Sequence, residues 1–425
     1  MGTALNLTYA NAILKYLYSD SVASVVNVKS PFLGSVKKGQ FIDTGGLGHV
    51  IPCRAGLGGG GSHTIADAQT YAIPGITKSF VVTTISDYVV KYIDGRTMAS
   101  MMTKRESLVN GLTEMMDEAF GLAKQRMQIE AFGDKSASLA KCTGSSVSTV
   151  YVTLDNKYDA YHFHVGMEVE SAATATGSTR TGSATIVAIN YADGILQTDT
   201  NWTSQITNFC TGSNDDFLFA VGDSCNSSTV LGVAGLSAWL PPSASRLAYG
   251  GGDSFFGVDR GINDNLYGLY FDGSSYTNVR EAIIRAQTEF NSRAGDIDTI
   301  ILPPHAYRQY LLETEAKETI VRYAQTQRGA VASIGYKGVE LIGDKGPIAI
   351  LCDPYCPKLA AFFLNMDSWS VLSAGGDMPR ILNFDNGKLL TVSNADTAEL
   401  RIGGYYNLAC FNPGLNGRML LKSYS

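Results

Sequence analysis

Hydrophobic positions along the chain repeat with two different periods, and the switches between them divide the sequence. Near the start, Ile13, Leu14, Leu17 and Tyr18 have helical spacing, Val22 to Val28 reads as a second short piece, and Ser30-Pro31-Phe32-Leu33 closes the segment. From Gly39 to about Ile85, glycines punctuate short β-rich pieces, of which Ser79 to Ile85 is the clearest. That pattern predicts a long two-stranded excursion. Between about Thr97 and Phe132 the period turns helical, with Leu108, Leu112, Met115, Ala119, Leu122 and Met127 recurring among charged residues. Such a helix spans on the order of 50 Å at about 1.5 Å per residue. Gly111 and Gly121 inside it each cost about 1 kcal/mol against Ala, so packing of the apolar stripe has to hold it.

From Cys142 to Val221 both charge and helical period fade. Short β segments take over at Val150–Leu154, Val165–Val169, Thr185–Ile189 and Ile195–Leu196, with a Ser/Thr/Gly-rich linker at Ala172–Ser183. This reads as a small all-β module. Leu236 to Gly273 is aromatic and glycine-rich without a period, which predicts irregular connections. Then Thr277 is placed to cap a helix with apolar positions Val279, Ile283, Ala286 and Phe290, closed by Gly295. Asp298–Leu302 reads as a buried strand, and Pro303-Pro304 opens a helix through Leu311 and Leu312. Strands are expected at Val339–Ile342, Ile348–Cys352, Ala361–Leu364, Trp369–Leu372, Lys388–Val392 and Glu399–Ile402. The class is α+β, with no internal repeat of solenoid period.

Composition narrows what such a chain does. At 425 residues it is long enough for two to four domains; hydrophobic residues are 45% but charged residues only 17%, which suggests surface covered by partners. The net charge of −6 and the lack of Lys/Arg clusters argue against a protein built to neutralise phosphates. The opening residues lack a basic start and a cleavage site, and nowhere do 18 apolar residues run together, so neither export nor membrane insertion is expected. Seven scattered cysteines suit reduced thiols, which leaves the Asn201-Trp202-Thr203 sequon idle.

The search for chemistry starts at Arg54-Ala55-Gly56-Leu57-Gly58-Gly59-Gly60-Gly61. Glycine-rich loops cradle phosphates when backbone N–H groups converge on an anion at the start of a helix. Here the Lys-Ser/Thr pair of that motif is missing, and Ser62-His63-Thr64-Ile65 follows, so an extended, flexible loop is expected instead. His162 and His164 are the only close histidine pair; on a strand they would share a face and could hold a metal, but no third ligand joins them. Cys352-Asp353-Pro354-Tyr355-Cys356 has the wrong spacing for a redox pair and reads as a turn. Gly250–Asp253 and Gly329–Gly338 do not sit between a strand and a helix in a dinucleotide-binding unit, and no nucleophile elbow, metalloprotease helix or calcium loop occurs. No catalytic residue, cofactor or metal site is assigned, and a structural role is favoured over an enzymatic one.

Several segments together resemble the major capsid proteins of tailed bacteriophages, the Hong Kong 97-like fold. Ala12–Tyr18 followed by Ser30–Lys38 is similar to that family's N-terminal arm, Asp298–Tyr307 with Leu311-Leu312 to its axial strand-to-helix step, and Gly335–Asp344, Ile350–Pro354, Leu364–Trp369 and Gly404–Gly417 to its closing strands. Each motif is degenerate, and their collinear order carries the resemblance. It implies an N-terminal arm (1–38), an extended β-hairpin loop (39–92), a peripheral domain with the spine helix (93–141), an inserted β module (142–221), and an axial domain with returning peripheral strands (222–425). It further implies self-assembly into hexamers and pentamers of an icosahedral shell, in a virion assembled in the host bacterial cytoplasm. Separate scaffolding, portal and cement proteins and non-specific contact with packaged double-stranded DNA are implied, with no membrane and no cofactor. In the extended loop, Arg54, Gly58, Gly59, Gly60, Gly61 and Lys78 are the candidate intersubunit contacts. An encapsulin-like compartment is the alternative container, and an enzyme with an unrecognised site the remaining alternative.

Overall fold

The computed structural model describes residues 30–40, 48–96, 105–143, 149–210, 215–224, 231–243, 246, 254–293, 295–315, 339–343, 346–374, 378–382, 390–391 and 396–422. The first apolar segment of the sequence, the side chains of Leu108 and Leu112, and the glycine runs at 250–253 and 329–338 lie outside the described residues.

Ser30 caps α1 (Pro31–Ser35), its hydroxyl accepting from Leu33 N with Pro31 at the first helical position. β1 (Lys37–Gln40) follows. β2 (His49–Gly56) and β3 (Ile76–Val82) pair antiparallel, and α2 (Ile65–Thr70) lies between them. The stretch Ser79–Ile85, which reads as one strand, is divided: β3 ends at Val82, and β4 (Ile85–Asp94) leaves to join another sheet. Both halves are rich in Val, Thr and Ile, so composition carries no sign of the break. α3 (Arg105–Glu130) is the long helix, 26 residues or about 39 Å.

Next comes a closed six-stranded barrel of β5 (Ala140–Thr143), β6 (Tyr151–Leu154), β7 (Glu168–Ala172), β8 (Ala184–Asn190), β9 (Ile195–Thr198) and β10 (Phe217–Ala220). The sequence pattern carries β6, β8 and β9 but not β5 and β10, the strands on which the chain enters and leaves. Val165-Gly166-Met167, expected in a strand, forms the turn ahead of β7, where Gly166 takes φ +87°. The barrel has its own core, including Cys142, Val152, Phe163, Ile186, Leu196, Trp202 and Leu218. Trp202 opens the short helix α4 (Trp202–Gln205).

The aromatic segment expected to be irregular is part of the main core. α5 (Leu236–Trp239), β11 (Ser254–Phe255) and β12 (Val258–Asp259) bury Trp239 against Phe255 at 4.9 Å between ring centroids. β13 (Leu269–Asp272) leads to α6 (Val279–Ser292), β14 (Thr299–Leu302) and α7 (Pro304–Glu315). α6 begins after Asn278, one residue past the expected cap Thr277, and the Asn278 side chain makes no capping bond. Glu313 of α7 takes hydrogen bonds from Val279 N (3.1 Å) and Arg280 N (2.9 Å), a carboxylate at the positive end of the helix. Gly295 closes α6 as read, its N–H donating to Phe290 O.

β15 (Val339–Gly343), β16 (Gly346–Cys352) and β17 (Ala360–Leu364) complete one sheet together with β22 (Gly417–Leu420), in the order β13-β22-β17-β14-β16-β15. α6 packs on it through Val279, Ile283, Ala286 and Phe290. The other six-stranded sheet centres on a 14-residue strand, β21 (Thr397–Cys410), flanked by β18 (Trp369–Ala374), β19 (Arg380–Ile381), β20 (Leu390–Thr391) and β4. β1 adds to its edge in parallel with β18. The sequence pattern marks only Glu399–Ile402 of β21, because Gly403-Gly404 resembles a break. Within the strand, a Cβ on Gly403 would lie 2.0 Å from Asp87 O of β4, so glycine is required by the closeness of the pairing. α3 covers this sheet, Ala119 and Ala123 packing against Val89, Leu400 and Ile402.

Candidate functional site: a projecting hairpin

A two-stranded ribbon is marginal in water by itself, so what anchors β2 and β3 decides what the hairpin can do. Antiparallel partners share a face and neighbours alternate. On one face Ile51 stands opposite Phe80 and His49 opposite Val82, and Ile51, Phe80 and Val82 are buried. Phe80 meets Trp239 at 5.3 Å and Phe255 at 6.2 Å, both edge-on. Backbone contacts hold both strands as well: Val81 N donates to Phe256 O (3.0 Å), and Asn263 Nδ2 donates to Ala55 O (2.9 Å). At the root, Gly48 takes φ +132° and a Cβ there would stand 2.6 Å from Val82 O.

Beyond this anchor the hairpin is bare. From Leu57 to Thr77 every residue is exposed except Gly60 and Ala68, which are half-buried. The exposed residues include Leu57 (79%), Ile65 (79%), Tyr71 (70%) and Ile73 (62%). The opposite face of the ribbon, with Val50, Pro52, Arg54, Thr77, Ser79 and Val81, is also exposed.

Backbone contacts cross the glycine run, which the sequence presents only as an extended, flexible loop. Gly59 N donates to Ile73 O at 2.8 Å, closing a bridge across the tip, with Gly59 at φ +115°. A Cβ on Gly58 would lie 2.4 Å from Gly75 N, and one on Gly60 2.0 Å from Ala68 O, whereas Gly61 faces open space. These glycines let backbones touch. A helix does follow the run, but it offers no anion site, because Thr64 Oγ1 accepts from Asp67 N (3.4 Å) and the Asp67 carboxylate already occupies its first turn. Arg54 is exposed and Lys78 half-buried. They lie on opposite faces of the ribbon, Arg54 paired with Thr77 and Lys78 with Cys53, so they do not form one cationic patch. The residues that sequence reasoning missed are the apolar tip and the aromatic anchor; neither has a period to detect.

Elsewhere a cleft of about 700 Å³ lies where the barrel meets the rest of the chain. Several of its polar groups are engaged in structural bonds. His162 Nδ1 contacts Leu139 O at 2.5 Å, Asn156 Nδ2 donates to Asp159 Oδ1, and Arg260 Nη1 and Arg418 Nη1 donate to Ala238 O and Leu240 O. Burial pushes Asp159 up to about 7 and His162 down to about 4. His162 ends the 3₁₀ turn Lys157–His162, so it does not share a strand face with His164. Among the described residues no cluster of three metal-binding side chains occurs.

The sequence matches no protein-family model and no curated protein. The fold is shared with a chain of the Cyanophage A-1(L) capsid asymmetric unit, at a TM-score of 0.55 and 10% identity over 96% of this chain and 97% of that one. Chains from Microbacterium phage Oxtober96 (TM-score 0.43, 9% identity, 99% and 100% covered) and from the mature capsid of bacteriophage PhiM1 (0.42, 9%, 96% and 92%) are also similar, at scores that add no weight. The fold is therefore one found in a phage capsid, matched along nearly the whole chain.

Proposed function

We propose that this chain is the major capsid protein of a tailed bacteriophage, with the Hong Kong 97-like fold, and that its copies close into an icosahedral shell around double-stranded DNA. The observation that carries the reading is the whole-length likeness to a phage capsid chain. In this reading α3 with the β21 sheet is the peripheral domain, the sheet carrying α6 and α7 is the axial domain, and the β2–β3 hairpin is the extended loop. The barrel is an inserted module, its chain entering and leaving on the paired strands β5 and β10.

The mechanism is assembly. The tip residues Leu57, Ile65, Tyr71 and Ile73 lie on a neighbouring subunit, where their burial supplies association energy of roughly 25 cal/mol per Å² of apolar surface. Repetition of one such contact under closed symmetry gives hexamers and pentamers of a shell. With a net charge of −6, contact with packaged DNA is weak and non-specific. Scaffolding, portal and cement functions belong to separate proteins, and an encapsulin-like compartment is not favoured.

Electron microscopy of the purified protein, alone and co-expressed with its neighbouring genes, tests this. Closed shells hundreds of ångströms wide are expected. A product that stays monomeric in both conditions would overturn the reading.

A further inference from the structure

Cys142 and Cys210 are 68 positions apart, yet their sulfurs lie 2.9 Å from each other in the barrel core, with both residues fully buried. One residue holds them both. Asp216, also fully buried, takes Cys210 N on its carboxylate (2.9 Å) and Cys142 N on its backbone carbonyl (2.9 Å). Its carboxylate is fixed in turn by Arg180, through Nε at 2.6 Å and Nη2 at 2.7 Å, a two-pronged ion pair with a set direction. Cys210 adopts left-handed backbone, φ +43°, a conformation rare for a residue with a side chain, and the bond to Asp216 keeps it there. The Cys142 thiol also reaches the Asp216 carbonyl at 3.1 Å, as Cys53 reaches that of Phe411 and Cys356 that of Ala360, but in those two cases no second sulfur shares a hydrogen bond with it among the described residues.

We propose that Cys142 and Cys210 are a dithiol that a low-molecular-weight disulfide, such as oxidised glutathione, converts to an intramolecular disulfide bolting β5 to the segment before β10. Closing from 2.9 Å to a bond of about 2.05 Å needs a movement of about 0.9 Å. The Cys210 thiolate attacks the external disulfide, forms a mixed disulfide and releases one thiolate. The Cys142 thiolate then attacks the Cys210 sulfur and releases the second. Two protein thiols are oxidised, one external disulfide is reduced, and the two protein protons pass to the departing thiolates. The two cysteines are interchangeable in this sequence of attacks, since each sulfur lies within reach of the other. Since both are buried, exchange happens while the barrel forms or opens, and the folded barrel then holds the pair in register. A chain made in a reducing compartment carries the bond only after it meets an oxidising one. None of this depends on the shell reading.

The test refolds the full-length protein from denaturant in glutathione buffers of graded oxidised-to-reduced ratio. Free thiols are then alkylated and the peptides mapped by mass. Two of the seven thiols are expected to become protected together, in a single Cys142–Cys210 cross-linked peptide. The melting transition of the barrel should rise by roughly 5–10 °C, reversibly with reductant. Cys142→Ser and Cys210→Ser should lose both effects while keeping the wild-type circular dichroism. Seven alkylatable thiols after oxidative refolding, scattered cross-links, or an oxidised protein that melts no higher than the reduced one would overturn the proposal.

Discussion

Asn407 holds Thr83: its Nδ2 donates to the Thr83 carbonyl at 2.8 Å across 324 positions of sequence, while its Oδ1 accepts from Ala234 N at 3.0 Å. Thr83 is the first residue after β3, so this buried amide fixes the point where the hairpin leaves the subunit and where β4 begins. Asn407→Ala would strand a carbonyl and an N–H, at a cost of about 2–4 kcal/mol. A lower melting temperature is expected, together with faster hydrogen exchange confined at first to the hairpin root, read by mass spectrometry. Unchanged exchange there would show that the root is held by other contacts.

The two ends of the hairpin are expected to separate stability from assembly. Phe80→Ala removes a fully buried ring from between Trp239 and Phe255 and should destabilise the subunit by about 3–5 kcal/mol. Leu57→Ser with Ile73→Ser changes only exposed side chains, and the subunit should melt within about 1 °C of wild type, as surface substitutions generally do. Sedimentation should nevertheless show shell formation lost in the double variant. Wild-type particles from it would remove the tip from the assembly mechanism.

Glycines of the tip differ in what they tolerate. Gly60→Ala puts a methyl group 2.0 Å from Ala68 O and should distort the tip, whereas Gly61→Ala meets nothing. Particle yield is expected to fall for the first and hold for the second. Equal yields would mean that backbone approach at the tip is unimportant. ATP and NAD should show no saturable heat of binding to either variant or to the parent.

The spine helix carries a titrating group. Glu130 lies where Arg126 bridges Asp87 and Asp223, at 2.8 Å each, and it accepts from Tyr406 Oη at 3.0 Å. Burial, reinforced by the Asp87 charge, pushes Glu130 up to about 8 despite the opposing pull of Arg126. The folded state therefore holds this proton more tightly than the unfolded chain does. The stability it contributes is complete below the ordinary carboxylate range and is lost as pH rises through about 8. Melting temperature should fall over that window in the parent and fall less in Glu130→Gln. Parallel profiles would assign the dependence to other groups.

Because β5 and β10 pair, Ala140 opposite Leu218 and Lys141 opposite Phe217, the chain enters and leaves the barrel side by side. Replacing Ala140–Ala220 with a short Gly/Ser linker should leave a soluble subunit that keeps the helical signal of α3, α6 and α7. A product recovered only as aggregate would show that the barrel is part of the core fold; its contact with the spine, Gln125 Nε2 to Tyr161 O at 2.6 Å, is where such dependence would arise.

What the sequence determined by itself was local. The stripe through Ala119 and Met127 marks α3, Val279 to Phe290 marks α6, and alternation marks β8, because periodicity and turn chemistry act over a few residues. The order of these elements sufficed for the family resemblance. Tertiary structure decided whatever depended on a distant partner. Gly403 and Gly404 look like a break until β4 lies alongside them, Ser79–Ile85 looks like one strand until Asn407 takes hold of Thr83, and the first turn of α6 carries no sign that Glu313 of α7 will bond its N–H groups. The glycine run carries no sign of a partner until its backbone approaches Ile73 and Ala68. Cys142 and Cys210 are unrelated positions until the barrel closes around them. In each case the deciding atom comes from another element of the fold, and no local pattern encodes its approach.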